Sequence, residues 1–442
     1  MTPEERARLD ELLRIPSVSA DPAHAGDMRR AAEFLVGEVA RAGGEAEVRD
    51  LGGHPLVVGE VPPSGGGDAP EVILYGHYDV QPPGPRERWT SDPFEPVERD
   101  GNLYCRGASD DKGNLFMLVA AVQRLAAEGR LPVRARFVID GEEESEGDSA
   151  EVHFEQTASS ADAAVIFDIQ MVRPGLAALC TGLRGLVYRR VTVRTARADA
   201  HSGLYGGPAL NANHALMRVL HDVAPRAGRL PDSLYAGIVP PTDDEVAAWS
   251  ELPPGAEMLE EAGLAPADAG AAEAFYARTF AEPSLDVHAL QSGHADLVAT
   301  VIPAVASATL SLRVAPGQDA AALGAELDRL LLAAAPEGAE IEIEALGQAG
   351  STRIDPSEPA LVAAGDGIER VMGTRPACVH SGGSIPVVAT LAAAGVPTVL
   401  GGFALPTDAI HSPDEHLRVE HLGLGARAAM EILTELGGLR DA

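Results

Sequence analysis

The sequence predicts an α/β fold in which a mostly parallel central sheet flanked by helices is interrupted by a smaller α+β unit. Three observations carry this. Val72-Ile73-Leu74-Tyr75 is apolar without alternation, as in a strand covered on both faces. From there to residue 168 strand and helix patterns alternate, which favours parallel pairing. Near residue 183 the pattern changes to a half-exposed alternation, and near 354 the first style returns, so residues 1–184 and 354–442 read as two parts of one domain and 185–353 as an insertion. A chain of 442 residues exceeds one ordinary core, in keeping with two domains.

Taken in order, Thr2 with Pro3 and Glu5 forms a capping box ahead of the Leu9, Leu12, Leu13 stripe. A helix is predicted from Asp27 to Arg41, stopped by Gly43-Gly44, and then short strands at 46–49 and 56–61. After the strand at 72–75 comes a Pro-rich loop, a helix marked by Leu115, Leu118, Val119, Val122 and Leu125, a strand at 133–140, and a strand at 164–167. In the insertion, strands are expected at 186–195, 307–314 and 340–345, with helices near 211–223 and 319–335 and short helical stretches near 243–252 and 271–278. The tertiary role of 225–300 is unreadable from pattern. The last part shows a helix at 359–372, the loop Ser381 to Pro386, an apolar helix after it up to Ala394, a strand at 398–400 and a helix over about 420–436.

Composition narrows the function classes. With 34 basic against 66 acidic residues the net charge is -32, which argues against nucleic-acid and anionic-membrane partners, both of which need basic patches. An anionic substrate must then be drawn in by local cations or metals. Three scattered cysteines make no disulfide framework, the N-terminal stretch does not read as a signal peptide, and no run of about 18 apolar residues exists, so a cytoplasmic location is expected.

Ligands of open α/β sheets bind beyond the carboxyl ends of the strands. His77, Asp79, Glu143, Glu144, Asp168 and His411 all follow a predicted strand end, and Asp110 lies in the loop before a helix. A run such as Glu142-Glu143-Glu144 is by itself usually a solvated turn. A lone strand-end histidine is usually a satisfied surface or core residue. Converging on one sheet edge, however, the acids would repel unless a cation joined them. Two imidazoles with several carboxylates and no thiolate suit zinc, manganese or cobalt. In extended backbone Asp79 points the same way as His77 and can hold its ring.

Gly76-His77-Tyr78-Asp79-Val80-Gln81-Pro82, Arg106 to Gly113, Gly141 to Glu144, Asp168, Ala200-His201-Ser202-Gly203-Leu204-Tyr205-Gly206-Gly207, Ser381 to Pro386 and His411 together resemble the dinuclear-metal superfamily of aminoacylases, carboxypeptidases and dipeptidases, zinc peptidase family M20. Within it the chain is most similar to the carnosine-dipeptidase-like branch. The resemblance implies a catalytic domain interrupted by a lid and dimerisation domain, with two divalent ions, Zn2+ first and Mn2+ or Co2+ next. His77, Asp110 and Asp168 would hold one ion and Asp110, Glu144 and His411 the other. Glu143 would be the general base, Asp79 its catalytic companion, and Glu142 a flanking acid. The Asp110-Asp111 peptide would be cis. His201 would reach the oxyanion from the partner subunit of a homodimer, and Thr300, Ser384 and the Gly382-Gly383 backbone would line the substrate site, where the guanidinium fork of Arg313 matches a substrate carboxylate.

A hydroxide between two ions ~3.5–4 Å apart is a good nucleophile, so the expected reaction is hydrolysis of dipeptides or small peptides with a free carboxylate. An N-acyl amino acid deacylase would use the same metal site and is the alternative. His380-Ser381 stands where the family commonly has Arg-Glu, which bears on the accepted side chain. A catalytically dead scaffold would have lost a ligand or the base, and a serine hydrolase lacks its Gly-x-Ser-x-Gly elbow here.

Overall fold

The computed structural model describes residues 1–145, 147–293, 299–383 and 385–440. The chain forms two compact units, Met1–Thr181 with Ile354–Cys378 and Thr390–Ala442, and Gly182–Arg353 with Val379–Ala389. The sequence pattern places Val379–Ala389 with the final third instead. Its membership in the second unit follows from His380, whose Nε2 lies 2.8 Å from Glu245 Oε1 and whose Nδ1 lies 3.2 Å from Phe280 O, with the Trp249 ring packed edge-on.

The first unit is built on a six-stranded sheet in the order Glu45–Arg49, Leu56–Val61, Arg134–Asp140, Glu71–His77, Ala163–Phe167, Thr398–Gly401. The last four run parallel, and the first two add antiparallel to the edge. Ile73, Leu74 and Tyr75 are buried on both sides of their strand, which is why this stretch carries no alternation. Parallel pairing of His77 with Asp140 and of Phe167 with Gly401 brings the carboxyl ends of four strands to one edge. The helix Val419–Leu436 packs on both Lys112–Ala127 and Pro359–Met372. The expected capping box is present, with Thr2 Oγ1 accepting from Glu5 N–H and Glu5 Oε2 from Thr2 N–H. The Pro359–Met372 helix ends at Gly373 in the left-handed region, φ 71°.

The second unit holds an antiparallel sheet in the order Ser284–Ser292, Val305–Val314, Gly185–Arg194, Glu340–Ala349. Val187, Val191, Val193, Leu310 and Leu312 on its inner face pack with Leu216 and Val219 of helix Ala212–Val223 and Leu323, Leu327 and Leu331 of helix Ala320–Ala333. The Ser284–Ser292 strand lies in the stretch that pattern left unread. It is largely exposed, and a register shift between Val287 and Ala289 breaks its alternation. At the short helical stretch expected near 271–278 the chain makes i to i+4 bonds from Ala274 N–H to Gly270 O and from Arg278 N–H to Ala274 O, and it runs on into a wide turn with i to i+5 geometry at Ala277–Ala281.

One buried ion pair shapes the loop before helix Lys112–Ala127. Glu415, fully buried, accepts from Arg106 Nη1 at 2.7 Å and from the backbone N–H groups of Gly107, Ser109 and Asp110 at 3.0, 2.9 and 3.1 Å. A carboxylate with four donors tolerates burial; an arginine deprived of it does not. Glu415→Ala is therefore expected to destabilise the fold by about 3–5 kcal/mol in urea unfolding, through the stranded Arg106 and three unpaired N–H groups. A loss below about 1 kcal/mol would show that the loop is held by something else.

Candidate active site

The residues that converge on the carboxyl edge come from five separate segments of the first unit. His77 ends its strand, Asp110 precedes helix Lys112–Ala127, Glu143 and Glu144 follow strand Arg134–Asp140, Asp168 follows Ala163–Phe167, and His411 lies in the loop beyond Thr398–Gly401. His77 Nε2 stands 3.0 Å from Asp110 Oδ1 and 3.8 Å from Asp168 Oδ1. His411 Nε2 stands 2.9 Å from Asp110 Oδ2 and 3.1 Å from Glu144 Oε1. Asp110 thus offers one oxygen to each set, and in each set the donor atoms lie within 4.8 Å of one another. Donors about 2.0–2.1 Å from one tetrahedral ion stand about 3.4 Å apart, so His77, Asp110 and Asp168 fit one ion and Asp110, Glu144 and His411 a second. The Asp110-Asp111 peptide is cis.

Electrostatics support the same fit. Burial disfavours a charged His77, yet the carboxylates of Asp110, Asp168 and Asp79 around it raise its pKa well above the usual imidazole value. Hydrogen bonds to Asp110 and Glu144 lift His411 to about 10. Burial raises Asp168. Asp110, also buried, is nonetheless lowered by the two imidazoles that it faces. Protons on the imidazoles are one way to balance this many carboxylates, and a pair of divalent cations on the same atoms is another that would displace those protons. Glu143 belongs to neither ligand set. Burial, with Asp168, Asp110 and Glu144 close by, outweighs the pull of His77 and pushes it up to about 8.

Several residues hold these groups in place. Asp79, fully buried, accepts from Glu144 N–H through Oδ2 at 3.0 Å, and its backbone carbonyl lies 3.1 Å from His77 Nδ1, so it holds one member of each ligand set. Three further residues support the site, and of these only Glu142 was singled out from the sequence, as a flanking acid. Gln81 donates to Glu144 Oε2 at 2.8 Å, leaving Oε1 toward His411. Asp111 accepts His77 N–H at 3.1 Å, an approach allowed by the missing Cβ of Gly76, which would stand 2.7 Å from Asp111 Oδ2. Glu142 turns inward and accepts from the N–H groups of His54 and Ser149, at 2.7 and 3.1 Å, so it fastens the loop that carries Glu143 and Glu144. Gln81 and Asp111 stand inside quoted motifs, which was the available signal. For Glu142, no signal separates it from its neighbours.

The remaining predicted residues belong to the second unit. Arg313 is half-buried on strand Val305–Val314. Thr300 is exposed, and its carbonyl accepts from Ser202 N–H and Oγ–H at 3.0 and 2.8 Å. Gly383 is exposed and donates to Ser381 Oγ; Ser384 lies outside the described residues. His201 is exposed and its Nδ1 accepts from Gly203 N–H at 3.0 Å. An accepting Nδ1 puts the proton of the neutral ring on Nε2, the tautomer that can donate outward.

The model of peptidase family M20/M25/M40 matches residues 73–435. The cysteinylglycine-S-conjugate dipeptidase of Corynebacterium striatum is 30% identical over 444 aligned residues, covering 94% of this chain and 92% of that protein. Human Beta-Ala-His dipeptidase is 30% identical over 59% of this chain and 53% of its own length. The fold is also similar to that of the M20 family metallo-carboxypeptidase Sso-CP2 from Sulfolobus solfataricus, with a TM-score of 0.84 and 23% identity over 99% of this chain and 100% of that one. The extent of these matches, over a site whose donors form two sets sharing one aspartate, makes the chain a member of peptidase family M20/M25/M40.

Proposed function

We propose that this hydrolase cleaves dipeptides or small peptides that carry a free carboxylate, with two divalent ions, Zn2+ before Mn2+ or Co2+. The observation that carries the reading is Asp110, which offers one oxygen to each of two nitrogen and oxygen donor sets while Glu143 stands beside both and joins neither. The dipeptidase name of the Corynebacterium relative supports the substrate class.

When bound, the two ions acidify water and polarise the scissile carbonyl. Glu143 takes the proton of the attacking water and returns it to the leaving amine. Asp79 and Gln81 keep His77 and Glu144 turned toward their sets. His201 donates from Nε2 to the developing oxyanion, reaching in from the partner subunit of a homodimer formed through residues 185–353, which act as lid and dimerisation domain. Arg313 grips the substrate carboxylate as a fork, with Thr300, Gly383 and Ser384 beside it. A chain with only three scattered cysteines suits a reducing cytoplasm, which cell fractionation checks. Among the described residues no helix is long and apolar enough to cross a membrane.

A reconstituted enzyme offered dipeptides, N-acetyl and N-succinyl amino acids is expected to prefer the dipeptides, with two transition-metal ions per active chain by elemental analysis. Preference for the acyl amino acids would make it a deacylase on the same metal site, and far fewer than two ions would sink the dinuclear reading. Glu143→Gln should keep both ions and lose about 10²- to 10⁴-fold in kcat, and near wild-type turnover would remove Glu143 from the base role. His201→Ala should lower kcat about 10²- to 10³-fold while sedimentation still shows a dimer. Full turnover in that variant, or in a monomer, would rule out the shared-subunit oxyanion role.

A further inference from the structure

Beside Arg313, already singled out from the sequence, the sheet of the second unit brings a second arginine, Arg184, that no motif pointed to. Arg313 pairs directly with Leu186 on one neighbouring strand and with Ser284 on the other. Directly paired residues share a face, so Leu186, Arg313 and Ser284 lie together, and Arg184, just before the strand Gly185–Arg194, reaches that face by donating from Nη1 to Ser284 Oγ at 3.1 Å. Leu312 and Val187 point the other way, into the core.

Arg184 is only 8% exposed, and its bonds are all to neutral acceptors. Nε donates to Gly382 O at 3.3 Å, and Nη1 to Arg278 O at 3.3 Å and Ser284 Oγ at 3.1 Å. Among the described residues no carboxylate forms an ion pair with it; the charge of Asp286 reaches it without direct contact. Burial and the neighbouring Arg313 pull its pKa down to about 10. Nη2 has no protein partner among the described residues and lies 3.3 Å from where a Cβ on Gly382 would stand, so a side chain at 382 would press on this nitrogen. A buried guanidinium without a counter-charge is costly unless an anion completes it. Two forks on one face beside a bare glycine have the shape and charge for a carboxylate.

We propose that Arg184 and Arg313 form a two-guanidinium cradle, kept open by Gly382, that recognises the free carboxylate of the substrate, with Arg184 as a specificity residue in its own right. This rests on the reading above that the substrate carries such a carboxylate. Arg184 supplies the unpaired Nη2 and Arg313 the second positive charge, so the cradle selects for an anionic terminus and against its amide.

The test is equilibrium binding to the metal-loaded full chain, by calorimetry, of a dipeptide analogue with a reduced scissile amide and of its C-terminal carboxamide. Wild type should favour the acid. Arg184→Gln should weaken the acid about tenfold or more and the carboxamide less than about twofold. Arg184→Lys, which keeps the charge and loses the fork, should show a smaller loss that is still selective for the acid, and it carries the same comparison if the glutamine variant does not fold. Equal weakening of both ligands would assign Arg184 to the framework through the Arg278 and Gly382 carbonyls, and unchanged binding would place it outside the site; either result overturns the proposal. A wild type that favours the acid yet hydrolyses nothing in the panel above keeps the cradle and loses the peptidase reading. Equal wild-type affinity for acid and carboxamide overturns the cradle whatever is hydrolysed.

Discussion

Crowded carboxylates are the constraint that the first unit is built to meet. Asp79, Asp110, Asp111, Glu142, Glu143, Glu144, Asp168 and Glu415 serve one sheet edge, and several are almost wholly buried, where an unpaired charge is costly. The structure sorts them by the donors they receive. Glu415 takes three backbone N–H groups and Arg106, Glu142 takes two N–H groups, Asp111 takes His77 N–H, and Asp79 takes Glu144 N–H. Among the described residues Asp110, Glu143 and Asp168 receive no backbone donor, and Glu144 receives only the Gln81 amide and an imidazole. Glu415 and Glu142 are thus held by several donors, while among the described residues Asp79 and Asp111 each keep one oxygen without a hydrogen-bond partner, and Asp110, Glu144 and Asp168, the acids of the two donor sets, receive no backbone donor.

This division explains what could be read in advance and what could not. The convergence of His77, Asp168 and His411 was legible because parallel strands buried on both faces leave an unbroken apolar signature, and such strands end at one edge. The split of Glu142, Glu143 and Glu144 was not legible from the residues themselves, since a loop has no period to tell which acid turns inward. Family resemblance suggested their roles, and the geometry adds that Glu142 is a buried fastener of the loop. Glu415 escaped notice for a different reason. Its partners lie some 300 residues earlier, so its importance exists only once the fold has closed.

In the second unit the losses came where exposure removes the pattern. The strand Ser284–Ser292 sits at an edge with few buried positions and a bulge, so neither alternation nor length marks it. The segment Val379–Ala389 follows an apolar helix and strand rhythm that matches the final third, yet its allegiance is decided by His380, Glu245 and the Trp249 and Phe280 rings. Where the family commonly has arginine, this chain buries a histidine against Glu245, which also accepts from Arg353 at 2.8 Å.

The two units are electrostatically incomplete in opposite senses. One edge of the first gathers acids beyond what its own donors balance, and one face of the second keeps Arg184 buried among neutral acceptors beside Arg313, in a chain whose net charge is -32. With 66 acidic residues available, a neutralising partner for Arg184 is a small evolutionary step, and Asp286 already lies within its electrostatic reach without pairing. A folded protein gains nothing from an unpaired buried cation as such, because desolvation opposes it and Arg313 repels it. In the proposed cradle it is half of an interaction that the substrate's carboxylate would complete. A strongly acidic protein can hold an anion only where such a local excess of positive charge is kept from being cancelled.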